Sequence, residues 1–153
     1  MKFVPNPIFI TLLITVAAFK LNAADPKGEI DIGLITEPGA SHISGYLEVL
    51  AVRKGIRSVA VAVSDKAMLQ NAKRQLGKRF HGNGFLSAKQ MLAKVRPALT
   101  VVTMEGVNAP AAIRAALEAG SHVLTEKPSC TKLEQFEQLA KLATKSKRHP
   151  MLA

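Results

Sequence analysis

Two kinds of segment alternate along the chain after residue 28. Short runs that are apolar almost throughout have the pattern of strands buried on both faces of a sheet. Longer segments between them carry apolar residues at every third or fourth position, the pattern of helices with one buried face. Strands are predicted at residues 30–35, 59–63, 99–104 and 122–125, with the start of one more at 150–153. The alternation predicts an α/β fold with a parallel, doubly wound sheet in a single domain.

The helices are predicted from their buried faces and their ends. Ser41 is positioned to cap a first helix, with Gly55 as its end, and Asp65 precedes a second helix that runs to Leu76. A short helix is expected at residues 87–95 and another after Asn108, which is read as its cap. The inward residues of the first helix are expected to be Ile43, Leu47 and Leu50.

The last helix is predicted from a capping box. Thr131 is followed three residues later by Glu134, the spacing at which the two side chains satisfy each other's backbone N–H groups. Its buried face is expected to consist of Leu133, Phe136, Ala140 and Ala143.

The N-terminus has a different character. Lys2 precedes an apolar run at residues 8–19, and small residues follow at 22–24. The run is shorter than the ~20 residues that span a bilayer as a helix. The pattern predicts a signal peptide at residues 1–23 and a linker at 24–28, before a domain at 29–153, and hence an exported protein. An uncleaved anchor, which would add a membrane contact, stays open as an alternative.

Composition narrows the function. A chain of 153 residues that is 48% hydrophobic suits one domain with a real core. One cysteine excludes an intrachain disulfide, and the four histidines are scattered, so no metal site is expected. The net charge of +10 comes from dispersed basic residues without interleaved aromatics, which favours solvated helix faces over nucleic-acid binding.

The most informative segment is AALEAGSHVLTEKP at residues 115–128. It places Glu126 and Lys127 at the carboxyl end of a buried strand, which is where open α/β sheets bind ligands. Lys127 could donate a hydrogen bond to a substrate hydroxyl or carbonyl during hydride transfer, and Glu126 could orient it. A surface ion pair is the alternative.

The turn after the first strand is an ambiguous candidate. A dinucleotide-binding fold would carry GxGxxG there, and the sequence has TEPGASH at residues 36–42. Gly39 alone allows close backbone approach, helped by Ala40 and the Ser41 hydroxyl, whereas Glu37 is a poor neighbour for a phosphate. The sequence of this turn is at least as consistent with a structural loop as with a phosphate-binding one. A lone histidine at such a position, here His42, is more often structural than catalytic.

The roles of other polar residues at strand ends are likewise undecided by the sequence. Asp65 could contact a ribose or cap the helix behind it, with the cap preferred. Ser64 with Lys66 could instead tolerate a 2′-phosphate, which leaves NAD and NADP undecided. Glu105 follows the strand predicted at 99–104 and could line a cleft.

At these residues the sequence resembles the N-terminal domain of the glucose–fructose oxidoreductase/inositol dehydrogenase (Gfo/Idh/MocA) family. The specific part is AALEAGSHVLTEKPSCTKLEQFEQLAKLA, while GLITEPGASHISGYLEVL, VAVAVSD and PALTVVTM correspond more loosely. The resemblance covers about residues 29–153. It implies a Rossmann domain that binds NAD or NADP, with a sugar, polyol or related carbohydrate as substrate.

The resemblance also implies roles for residues. Lys127 would be the lysine that contacts cofactor and substrate, and residues 39–42 would lie beside the pyrophosphate and nicotinamide. Lys127 is therefore the predicted catalytic residue. The predicted cofactor-binding residues are Thr36, Gly39, Ala40, Ser41, His42, Ser64, Asp65, Glu105, Glu126 and Lys127.

The chain departs from the family pattern in three places. Thr36, Glu37 and Pro38 stand where glycines are expected, and residues 105–109 replace a proline and a histidine four positions later. The chain also stops at Ala153, where the family continues into a second α/β domain that carries the substrate pocket. These departures keep a second hypothesis open, a non-catalytic module that has lost the cofactor and binds another partner, with homo-oligomerisation as one form.

Overall fold

The computed structural model describes residues 28–153, in which strands and helices alternate. The strands are β1 (Ile30–Thr36), β2 (Ile56–Ala62), β3 (Leu99–Thr103), β4 (His122–Thr125) and β5 (Pro150–Leu152). The helices are α1 (Ile43–Val52), α2 (Lys66–Leu76), α3 (Ala88–Val95), α4 (Ala109–Glu118) and α5 (Leu133–Ser146). The predicted signal peptide lies outside the described residues, as does the linker up to residue 27. Among helices of residues 28–153, none has the length and apolarity to cross a membrane.

The five strands form one parallel sheet in the order β2-β1-β3-β4-β5. The chain passes from β1 outward to β2 and then returns to the other side of β1 as β3. The strand order therefore reverses between β1 and β3, which opens a crevice at the carboxyl edge of the sheet. The predicted parallel, doubly wound α/β sheet is confirmed.

The segment between α2 and α3 borders the outer edge of β2. Phe80 and Phe85 bridge to Val59 and Ala62 in parallel orientation. The Phe85 amide donates to the Val61 carbonyl at 2.8 Å, and the Val63 amide donates to the Phe85 carbonyl at 3.0 Å. These bonds occupy backbone groups that an edge strand would otherwise leave unpaired.

The core has one layer on each face of the sheet. Leu34 of β1 packs with Leu47 of α1 and Leu69 of α2 on one face. On the other face Ile35 packs with residues of α3, α4 and α5, including Met91 and Ile113. Neighbouring residues of a strand point to opposite faces, so the continuous apolar runs of the strands serve both layers.

Both predicted ends of α1 differ from those observed. The N-cap of α1 is His42, which makes no capping bond, and Ser41 instead accepts at its carbonyl from the Thr103 hydroxyl at 2.9 Å. The predicted Ser41 cap is therefore wrong, and α1 ends three residues before Gly55. The Asp65 cap of α2 is confirmed, since its Oδ1 accepts from the Met68 amide at 2.8 Å.

The predicted start and buried face of α5 are largely wrong. Its N-cap is Lys132, with no side-chain capping bond, so Thr131 and Glu134 form no capping box. Leu133 is 74% exposed and Phe136 49% exposed, and Ala140 is exposed too. The buried residues are Leu139 and Ala143, one turn apart, because α5 meets α4 and the sheet along that narrow stripe.

Candidate functional site

Two turns meet across the crevice between β1 and β3. The Glu37 carboxylate accepts from the Glu105 backbone N–H at 2.6 Å and from the Asn108 side-chain amide at 2.8 Å. Asn108 occupies the N-cap position of α4 without a side-chain capping bond, so the prediction that it caps this helix is wrong. Its amide instead ties the turn after β3 to the turn after β1.

A third turn, after β4, packs against the second. Gly106 is buried, and a Cβ there would lie 2.9 Å from the Pro128 carbonyl oxygen and 3.0 Å from Pro128 Cγ. Only a residue without a side chain allows this approach of the two backbones. The turns that follow β1, β3 and β4 thus form one continuous rim along the carboxyl edge.

Glu126 is the centre of the contacts below this rim. It is 8% exposed, and its Oε2 accepts from the Tyr46 hydroxyl at 3.0 Å and contacts His42 Nδ1 at 3.1 Å. Its Oε1 accepts from the Lys127 backbone N–H at 3.0 Å. A buried carboxylate with three donors is the arrangement in which burial of a charge is tolerated.

These contacts decide the protonation of the cluster. Burial works to raise the pKa of Glu126, but the hydrogen bonds from His42, Lys127 N–H and Tyr46 prevail, and its pKa lies below its ordinary value. Glu126 is therefore ionised at neutral pH, and its carboxylate acts as the acceptor of the cluster. Burial and the Glu126 charge raise the pKa of Tyr46 to about 12, which keeps its hydroxyl a donor.

His42 holds this position with an unusual backbone. Its φ is 64°, in the left-handed region that residues other than glycine seldom adopt, and such strain is often found at functional turns. Its side chain is 63% exposed. With Nδ1 directed to Glu126, Nε2 is the ring nitrogen left to contact a ligand.

The predicted residues of the first turn leave room for a ligand. Thr36 is 5% exposed, and within residues 28–153 its hydroxyl has no hydrogen-bond partner. Gly39 has a φ of +83°, with no atom within 4 Å of where a Cβ would lie. The Ala40 amide donates to the Glu37 carbonyl at 3.1 Å, which closes the turn, and Ser41 is exposed. An unpaired buried hydroxyl beside an open glycine fits a polar group lying across the turn.

The other predicted residues are less closely grouped. Ser64 is exposed at the end of β2, where Asp65 uses its carboxylate for the cap described above. Glu105 is exposed in the turn after β3. Lys127 is exposed in the turn after β4, and Glu126 holds its backbone N–H while directing its carboxylate to His42 and Tyr46.

Two residues of the site were missed from the sequence. Tyr46 follows His42 by four residues, one helical turn, so the two side chains lie on the same side of α1. That spacing was the available signal, and Tyr46 is the chain's only tyrosine. Gly106 gave no signal, because the need for glycine comes from Pro128, which is distant in sequence.

An apolar groove of about 710 Å³ lies between α1 and the sheet. Its lining includes Ile32, Val101 and Leu124 from the strands. At the carboxyl end of the sheet it reaches His42 and Glu126, so the charged cluster borders both this groove and the rim.

A parallel sheet that reverses its strand order at a polar crevice defines a Rossmann-type domain. The model of one protein family, described as "Oxidoreductase family, NAD-binding Rossmann fold", matches residues 30–152. The chain belongs to this family, Gfo/Idh/MocA, and the family predicted from the sequence is confirmed. No curated protein matches the chain.

Solved structures share the fold. Scyllo-inositol dehydrogenase from Lactobacillus casei, with bound NAD(H) and scyllo-inositol, is similar at a TM-score of 0.68 and 21% identity, over 82% of this chain and 36% of that one. The WlbA dehydrogenase from Chromobacterium violaceum, in complex with NADH and UDP-GlcNAcA, is similar at a TM-score of 0.71 and 25% identity, over 85% of this chain and 36% of that one. An NAD-binding oxidoreductase from Klebsiella pneumoniae is similar at a TM-score of 0.67 and 23% identity, over 82% of this chain and 34% of that one. The chain thus spans about a third of the length of these proteins.

Proposed function

We propose that residues 29–153 form the NAD-binding domain of an oxidoreductase that acts on a sugar, polyol or related carbohydrate by hydride transfer. Membership of an NAD-binding oxidoreductase family supports the cofactor. The carbohydrate class is supported by the ligands named for the two similar dehydrogenases, scyllo-inositol and UDP-GlcNAcA.

The observation that carries the proposal is the rim at the β1–β3 switch point. The Thr36 hydroxyl and the open backbone at Gly39 are placed to hold the dinucleotide where it crosses the first turn. The turn after β4 presents Lys127 at the same edge, and Glu126 fixes the backbone of that turn. Cofactor and substrate groups would thus meet over adjacent strand ends.

The residues have distinct parts in the proposed reaction. When an alcohol is oxidised to a carbonyl, its C–H electron pair would leave as hydride and its O–H proton would pass to solvent water, since this edge of the sheet is exposed at Ser41 and Lys127. A bound nicotinamide supplies the hydride acceptor. The exposed Lys127 ammonium would donate a hydrogen bond to the substrate oxygen and hold it in place. Glu126 would act as a positioning residue, through the Lys127 backbone and the His42 ring.

NAD binding is the first test. NAD at a hundred times its dissociation constant stabilises a folded protein by about 2.7 kcal/mol, so a melting temperature several degrees higher is expected. Because the family resemblance gives Lys127 a contact with the cofactor as well as with the substrate, Lys127→Met should weaken NAD binding by about tenfold, the equivalent of ~1.4 kcal/mol. Lys54→Met, at an exposed lysine just after α1, is the matched control and should bind like the wild type. No shift with millimolar NAD would contradict the proposal and favour a module without cofactor.

We further propose that residues 1–23 direct export, on the pattern of Lys2, the apolar run and the small residues at 22–24. Expression of the full chain followed by fractionation and intact-mass measurement tests this. A product in the exported fraction that begins near Ala24 is expected. A full-length product retained in the cytosol would contradict it, and Ile10→Asp within the apolar run should block export.

A further inference from the structure

The negatively charged carboxylate of Glu37 accepts hydrogen bonds from two donors of the crevice. Its two carboxylate oxygens take the Glu105 backbone N–H at 2.6 Å and the Asn108 amide at 2.8 Å. Backbone N–H groups and side-chain amides at strand ends are the groups with which α/β folds hold anionic ligands. In this chain both groups are already bound to an anion that belongs to the protein.

The position of this carboxylate matters because Glu37 lies in the turn that would carry the pyrophosphate. Gly39, two residues on, is the only glycine of residues 36–42 and has open space above it. A pyrophosphate lying across Gly39 would bring two negative charges close to the Glu37 carboxylate. Like charges that lie close together repel appreciably when they are partly shielded from water, and Glu37 is half-buried.

The carboxylate also ties two turns together. Glu37 belongs to the turn after β1, whereas Glu105 and Asn108 belong to the turn after β3. The bonds between them therefore span the switch point that a dinucleotide would cross. A ligand that uses the same donors must displace the carboxylate, and one that does not must lie beside it.

We infer that Glu37 limits the affinity of this site, as an internal anion that competes with the pyrophosphate of a dinucleotide and weakens its binding. That the native ligand is NAD rests on the proposed function above. The inference about Glu37 concerns any ligand that carries a pyrophosphate.

The experiment compares the wild type with Glu37→Gln and Glu37→Ala in calorimetric titrations with NAD and with ADP-ribose, which carries the same pyrophosphate without nicotinamide. Glu37→Gln removes the charge and nearly keeps the size, while Glu37→Ala also removes the tie between the turns. Both variants should bind each ligand at least about tenfold more tightly, the equivalent of ~1.4 kcal/mol. Glu48→Gln, at an exposed glutamate of α1, is the matched control and should bind like the wild type. Melting curves without ligand establish that each variant folds.

The outcomes separate the two proposals. Tighter binding by the variants than by the wild type supports the inference. If the variants bind and the wild type does not, the inference is supported but the native chain lacks the proposed cofactor function. Equal or weaker binding by both variants, with measurable wild-type binding, overturns the inference and leaves the proposed function standing. Weaker binding would identify Glu37 as a ligand of the dinucleotide. Absence of binding by every form overturns both.

Discussion

Replacing Glu126 with alanine is expected to lower the free energy of unfolding by about 2–4 kcal/mol. The substitution removes a carboxylate that is 8% exposed and accepts from His42, Tyr46 and the Lys127 backbone. The Lys127 N–H and the Tyr46 hydroxyl then lose their acceptor. Urea unfolding followed by circular dichroism measures the change.

The pH dependence identifies the cause. The folded-state pKa of Glu126 lies below its ordinary value of 4.5, so its ionised form contributes stability above that pH. That contribution is lost as the pH falls through the folded-state pKa. The difference in unfolding free energy between the wild type and Glu126→Gln should therefore be full at pH 7 and shrink below pH 4.5. A difference that stays constant with pH would show that charge is not involved.

Two variants serve as controls for Glu126. Tyr46→Phe removes one donor and keeps the ring, and should cost about 1 kcal/mol. Glu48→Gln changes an exposed carboxylate of α1 and should stay within about 0.5 kcal/mol of the wild type. If Glu126→Ala were no more harmful than Glu48→Gln, the hydrogen bonds to Glu126 would contribute nothing measurable.

Gly33→Val is expected to destabilise the fold by about 3 kcal/mol or to prevent folding. Gly33 is buried inside β1, and a Cβ there would lie 2.9 Å from both Met91 Cε and Pro97 Cγ, and 3.1 Å from Thr100 Oγ1. The strand would have to move away from α3, which packs on that face. The midpoint of thermal or urea unfolding reports the loss.

Gly45 supplies the matched glycine control. It lies in α1, and no atom comes within 4 Å of where its Cβ would be. Gly45→Ala should therefore stabilise the protein by about 0.5 kcal/mol, because alanine is the better helix former. Loss of stability at Gly45 equal to that at Gly33 would rule out crowding as the cause.

The sequence predicted the elements and the family because those depend on local pattern. The strand at 122–125 agrees with β4, and the Asp65 cap forms as expected, since a cap involves residues three apart. The prediction for α5 was wrong because burial there depends on which stripe meets α4, and α5 has apolar residues on more than one side.

The candidate site was only partly predictable for the same reason. The sequence named Glu126 and Lys127 at a strand end and His42 in the turn after β1 as candidates, but it gave Glu37 only as a poor neighbour for a phosphate. The sequence did not show that Glu126 would bind His42 and Tyr46, which are 84 and 80 residues away. It likewise assigned Asn108 to a cap, although its amide binds Glu37, 71 residues distant.

The sequence by itself determined the alternation of strands and helices, the family and the turns that could hold a ligand. These follow from side-chain periodicity and from contacts within a few residues. The tertiary structure decided which charges meet, because the crossover from β2 back to β3 places turns from distant parts of the chain on one edge. The ionised Glu126, the strained His42 and the carboxylate of Glu37 across the crevice exist only there.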